Sequence, residues 1–113
     1  THSYLKKSAA YTTQGKAIFE KIVKANPNVF LVLCGHCRDI SYKNVQLDDD
    51  GDGDPDRTVY AILSNFQGSK AGGGGYMRIL DFRDSDIYIY TYSPYYDSCE
   101  YPKGKTEATV PLP

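Results

Sequence analysis

Asn26-Pro27-Asn28-Val29-Phe30-Leu31-Val32-Leu33-Cys34-Gly35-His36 is the stretch whose reading decides the fold. Val29 to Cys34 is a continuous apolar run bounded by turn signals. That is the pattern of a strand buried on both faces, in a sheet covered by helices. Asn26-Pro27 ends whatever precedes it, because the residue before a proline avoids the α region. The preceding segment, 11–25, carries helical spacing. Ala17, Ile18, Ile22 and Ala25 recur on one stripe with Phe19 and Val23 beside them, and Lys16, Glu20, Lys21 and Lys24 take the other side. Thr12 or Thr13 is placed to cap its start. Helix, Asn-Pro turn and buried strand make half of an α/β unit.

Outward from this core the pattern turns to strands. Segment 41–47 predicts a short strand, and 58–66 a longer one with Val59, Ala61, Leu63 and Asn65 on one face. Segments 76–82 and 86–92 alternate as an antiparallel pair does, with Arg83-Asp84-Ser85 as the hairpin turn. The tyrosines Tyr88, Tyr90, Tyr92, Tyr95, Tyr96 and Tyr101 crowd the C-terminal third. At alternate positions they suit strands with one wet face. The four glycines at 72–75 predict a mobile loop or a close backbone approach. Residues 97–113 read as an irregular tail.

The bulk properties narrow the function classes. A chain of 113 residues is one domain at most. Thirteen basic against 14 acidic side chains give a net charge of −1, without the basic excess that a nucleic-acid surface requires. No apolar run approaches the length of a membrane span. Three cysteines, Cys34, Cys37 and Cys99, do not fix the redox compartment. The chain begins at Thr1 rather than Met, as expected of a processed product or a fragment.

Three constellations carry possible chemistry. Cys34-Gly35-His36-Cys37 is a CxxC that a thiol–disulfide oxidoreductase could use, and that reading requires a depressed thiol pKa at Cys34. Leu33 before it and Arg38-Asp39-Ile40 after it lack the helix such a motif opens. The same turn places the His36 imidazole at the C-terminal end of a strand, where α/β sheets bind ligands, and neutral imidazole suits divalent metals. His2 is the second histidine, and two ligands do not complete a metal site. The third constellation is the loop 48–56. Asp48, Asp50 and Asp52 stand at positions 1, 3 and 5, Gly53 at 6, and Asp54 and Asp56 follow. This is the start of a DxDxDG calcium loop without the EF-hand glutamate, since Val59 occupies position 12. Asp56 at position 9 is placed to close it. A weak calcium site of this kind implies an extracellular or cell-surface setting.

With these residues in place, the chain resembles the C-terminal portion of the bacterial calcineurin-like metallophosphoesterases. The likeness runs in order through the strand ending Gly35-His36, through Arg57-Thr58-Val59-Tyr60-Ala61-Ile62-Leu63-Ser64-Asn65-Phe66-Gln67, through Gly74-Gly75-Tyr76-Met77-Arg78-Ile79-Leu80-Asp81-Phe82, and through Ile89-Tyr90-Thr91-Tyr92-Ser93-Pro94. It covers 1–96 and leaves 97–113 as the tail. The resemblance implies an α/β fold, α+β for this segment alone, with one helix on a mixed, largely antiparallel sheet inside a four-layer αββα sandwich. It implies that His2 and His36 bind one and the same ion (Zn, Mn or Fe) in the complete enzyme, and that metal-activated water attacks phosphomonoesters or phosphodiesters. Position 38 departs from the family: Arg38 stands where a histidine serves the other metal. An arginine there is suited to contact the phosphate ester instead. The aspartate and Asn-His motifs of the family are absent from this chain. It is therefore expected to be inactive alone and to need the missing N-terminal half or another chain as partner. The alternative class is a non-catalytic, calcium-stabilised extracellular binding module.

Overall fold

Gly15 sets where the helix can lie. A Cβ at this position would sit 2.0 Å from the carbonyl oxygen of Tyr4, so only glycine lets the helix press on the backbone of the N-terminal segment. The computed structural model describes residues 1–99 and 107–113; Tyr101 lies outside the described residues. Thr12 is the N-cap of helix α1, Thr13–Ile18, and its hydroxyl accepts from the Gly15 amide at 2.9 Å. The helix then widens into a π-helical turn, Phe19–Val23, closed by the Lys24 N–H donating to the Phe19 carbonyl at 3.0 Å.

This geometry shifts the buried stripe from the one the periodicity predicts. Gly15, Phe19 and Val23 face the core, while Ile22 is 53% exposed and Ala17 and Ala25 face solvent. The close approach at Gly15 selects the stripe that runs through it, and the π turn carries that stripe on to Val23.

The chain forms two units, Thr1–Asn65 and Phe66–Pro113. The first holds α1, the π turn and a mixed sheet of β1 (Leu31–Cys34), β2 (Asp39–Leu47) and β3 (Arg57–Asn65) in the order β1-β3-β2. β1 runs parallel to β3, with Leu31 opposite Tyr60 and Cys34 opposite Leu63. β2 runs antiparallel to β3, from Leu47 opposite Arg57 to Asp39 opposite Asn65. Tyr4, Leu5, Phe19, Val23, Val32, Cys34, Val59, Ala61 and Leu63 form its core. Tyr4 is 1% exposed, and burial drives its phenol well above the ordinary value of 10; the hydroxyl bonds to that of Tyr11.

The expected burial of β1 on both faces is corrected. Val32 and Cys34 are buried, but Leu33 is 45% exposed. The helix covers the face that carries Val32 and Cys34; on the other face Leu33 is exposed, although Ile62, its partner in β3, is buried. The free edge of β1 is partly closed by the N-terminal segment. Thr1 N donates to the Leu33 carbonyl at 2.9 Å, and Gly35 N donates to the His2 carbonyl at 3.0 Å.

The second unit is an antiparallel sheet of β4 (Met77–Phe82), β5 (Asp86–Tyr92) and β6 (Ala108–Pro111) in the order β4-β5-β6. The hairpin at 83–85 forms as its sequence predicts. β6 corrects the reading of 97–113 as irregular: Val110 pairs with Ile87, and both are buried. The strand is four residues long and ends in a proline, a signal too short for alternation to register. Along β5, Ile87, Ile89 and Thr91 are fully buried while Tyr88, Tyr90 and Tyr92 are half-exposed. The glycine-rich segment is ordered by the chain around it. A short helical segment, α2 (Lys70–Gly73), is left-handed at Ala71 and Gly72, and Gly73, Gly74 and Gly75 continue at positive φ. The Ser93 hydroxyl donates to the Gly74 carbonyl. Among the described residues the fold is α+β: two three-stranded sheets and few helices.

Gly15→Ala is expected to lower stability by about 3 kcal/mol, the upper end of the cost of overpacking, because its Cβ meets backbone rather than a movable side chain. Urea denaturation measures this, and a loss under about 1 kcal/mol would show that α1 can slide off Tyr4.

Candidate metal centre and acidic loop

The two histidines of the chain lie 34 residues apart in sequence and meet in space. His36 Nδ1 is 2.8 Å from His2 Nε2, and the rings meet edge to face with centroids 4.6 Å apart. Both are exposed. The contact is built by β1: His36 follows Gly35 directly after the strand, and the His2 carbonyl is tied to the Gly35 amide. His36 takes a left-handed backbone, φ 59°, uncommon for a residue with a side chain. Its carbonyl accepts from the Asn65 side-chain amide at 2.9 Å, and Cys37 N donates to the Gly35 carbonyl at 2.7 Å.

Two imidazole nitrogens bound at about 2.1 Å to one ion at a right angle lie about 3 Å apart. The observed spacing therefore suits either one N–H···N hydrogen bond or two cis ligands of a shared cation. Among the described residues, no group of three or more potential ligands includes either histidine. Arg38, two residues further, is exposed on the same turn.

Cys34 and Cys37 are free thiols. Cys34 is buried, and burial raises its pKa, against weaker lowering by backbone hydrogen bonds from Leu5 and Tyr4. A reactive dithiol needs the opposite shift and access to solvent; Cys34 is buried and its pKa is raised.

The acidic loop lies between β2 and β3. Oxygens of Asp48, Asp50 and Asp56 lie within 4.8 Å of one another. Asp52 and Asp54, which the spacing also nominates, are not in that group. Four of the carboxylates organise backbone. Asp48 accepts from Gly51 N at 2.6 Å and Gly53 N at 2.9 Å, Asp50 from Asp52 N at 3.1 Å, and Asp52 from Asp54 N at 2.8 Å. Asp56 accepts from Asp49 N at 2.7 Å. Gly51 and Gly53 supply the positive φ values the coil requires. Asp49 points away from this cluster to Arg57 at 2.5 Å. Sequence spacing found the loop but missed this division of labour, which depends on Arg57 lying under the loop.

No protein-family model matches the chain, and no solved structure matches it. The chain is similar to a protein of Bacillus subtilis (strain 168), "Uncharacterized protein YvnB", with 47% identity over 96 residues. The match covers 83% of this chain and 7% of that protein, so the chain spans a small part of the length of the curated relative it matches.

Backbone hydrogen bonds from Gly51 and Gly53 hold the Asp48 carboxyl below its ordinary 3.8. Its ionised form thus favours the folded loop at pH values above the unfolded pKa, and that contribution is lost as pH falls through the folded value. Asp48→Asn is expected to flatten the acid limb of stability below about pH 4 and leave its shape near neutrality unchanged, as read by urea denaturation across pH. An unchanged acid limb would mean that the carboxylate is not held by the loop.

Proposed function

We propose that this chain is the C-terminal half of a calcineurin-like metallophosphoesterase domain, and that His2 and His36 are ligands of one divalent transition metal ion. The observation that supports this reading is the 2.8 Å approach of His36 Nδ1 to His2 Nε2 at the C-terminal end of a parallel strand. Zn, Mn or Fe bound there would supply a Lewis acid and an activated water for hydrolysis of a phosphomonoester or phosphodiester. The chain's own residues hold the two nitrogens at ligand spacing and expose them. Arg38 on the same turn presents a guanidinium, whose fork matches a phosphate. Two histidines leave the coordination sphere incomplete, so the remaining ligands come from the N-terminal half or another chain, within a four-layer αββα sandwich to which these sheets belong. By itself the chain is inactive on phosphate esters. The setting is extracellular or at the cell surface.

The test is zinc titration of the chain followed by NMR of the imidazole nitrogens. One zinc ion per chain is expected to shift His2 Nε2 and His36 Nδ1, with binding at least about tenfold weaker in His2→Ala and in His36→Ala. Zinc that leaves both ring nitrogens unshifted would remove the reading.

The alternative, a calcium-stabilised binding module, is supported by the convergence of Asp48, Asp50 and Asp56 in a loop of DxDxDGxxD spacing. On this reading, millimolar calcium raises the thermal midpoint of the wild-type chain and leaves that of Asp50→Asn unmoved. Equal midpoints with calcium and with chelator in the wild type would exclude it.

A further inference from the structure

The left-handed backbone at His36 needs an agent that holds it. A residue with a Cβ in this conformation costs about 1 kcal/mol or more relative to the right-handed region, so the turn relaxes unless its neighbours oppose it. The contacts that oppose it tie down the carbonyls of both histidines. The His2 carbonyl accepts from Gly35 N at 3.0 Å. The His36 carbonyl accepts from the Asn65 side-chain amide at 2.9 Å. Each imidazole is therefore aimed from a peptide group fixed at its own residue, and the two rings meet as a result.

Asn65 differs from the other anchors of this turn. Gly35 N and Cys37 N belong to the turn itself and move with it. Asn65 is the last residue of β3, the strand paired on both sides, with β1 and with β2. Opposite it in register is Asp39, also at positive φ, whose carboxylate pairs with Lys7 at 2.7 Å and accepts from Ile40 N at 3.0 Å. The turn 35–39 thus leaves β1 and enters β2 across the end of the most constrained strand of the sheet. A side chain from that strand reaches back to its apex.

We propose that Asn65 is the positioning residue of the His2–His36 pair: its amide donates to the His36 carbonyl and so holds the His36 imidazole against that of His2. The role rests on the metal-centre reading for its purpose, but the geometry it sets is measurable without any metal. Asparagine suits the task because it combines a short side chain with an N–H donor. Aspartate has the same shape and no donor, and it places a carboxylate oxygen against a carbonyl oxygen.

The experiment uses the chain labelled with nitrogen-15 and carbon-13. A through-hydrogen-bond coupling between His36 Nδ1 and His2 Nε2 reports the pair, and thermal unfolding reports the fold. In Asn65→Asp the coupling is expected to disappear while the β2–β3 amide shifts stay native. Zinc affinity is expected to fall about tenfold, the usual effect of removing a group that orients a ligand. Asn65→Ala, which adds no charge, is expected to act the same way. Retention of the coupling in both folded variants, with zinc affinity within about twofold, would overturn the proposal. Should neither variant fold, the wild type still decides: a coupling from the Asn65 side-chain nitrogen to the His36 carbonyl carbon supports the proposal, and its absence overturns it. A wild type whose imidazole pair binds no zinc, yet is lost in Asn65→Asp, supports the positioning role and removes the metal reading alone.

Discussion

Arg57 holds the first unit together at the point where helix, loop and sheet meet. It is the first residue of β3, and its side chain is only 11% exposed. One nitrogen donates to the Val29 carbonyl at 2.8 Å and another to the Val23 carbonyl at 3.1 Å. These oxygens lie at the end of the π turn and at the approach to β1, where a helix terminus leaves carbonyls without intrahelical partners. The rest of the fork closes on Asp49 through Nε and Nη2. A planar, permanently charged group is suited to this: it serves diverging acceptors at once and needs a carboxylate beside it when buried. Without Arg57 the Val23 and Val29 carbonyls would lose their shared donor, and Asp49 would lose its tie to the sheet.

The acidic loop then has two distinct parts. Asp49 is committed to the fold through Arg57, whereas Asp48, Asp50 and Asp56 face one another. Concentrated negative charge opposes compaction, and the loop offsets it by pointing its carboxylates at its own amides. The same residues that concentrate the negative charge also give the loop a shape of its own.

Much of the architecture was legible in the chain. The Asn26-Pro27 break, the strands on either side of Arg83-Asp84-Ser85, and the presence of a strand ahead of Gly35-His36, though not its burial on both faces, follow from local rules. The meeting of His2 with His36 was legible only through family resemblance, since no periodicity links positions so far apart. The helix stripe was misread because Ile22 outranks Gly15 in hydrophobicity. The deciding contact is the one a missing Cβ makes possible at Tyr4. β6 escaped because a four-residue strand takes its pairing from β5 rather than from its own pattern. Asn65 carries no sequence signal, for its role is an amide aimed at a carbonyl across the sheet.

The pairing order of the first sheet also fixes when its features arise during folding. β2 and β3 are each nine residues long and joined by the acidic loop, so their pairing closes a short stretch of chain. β1 joins β3 only across β2 and that loop, with Leu31 meeting Tyr60, and the entropy of closing the chain is larger there. The N-terminal segment docks on β1 in turn. The imidazole pair thus depends on closures much longer than that of the β2–β3 hairpin. A chain stalled after the hairpin would already possess its acidic loop while its two histidines were still strangers.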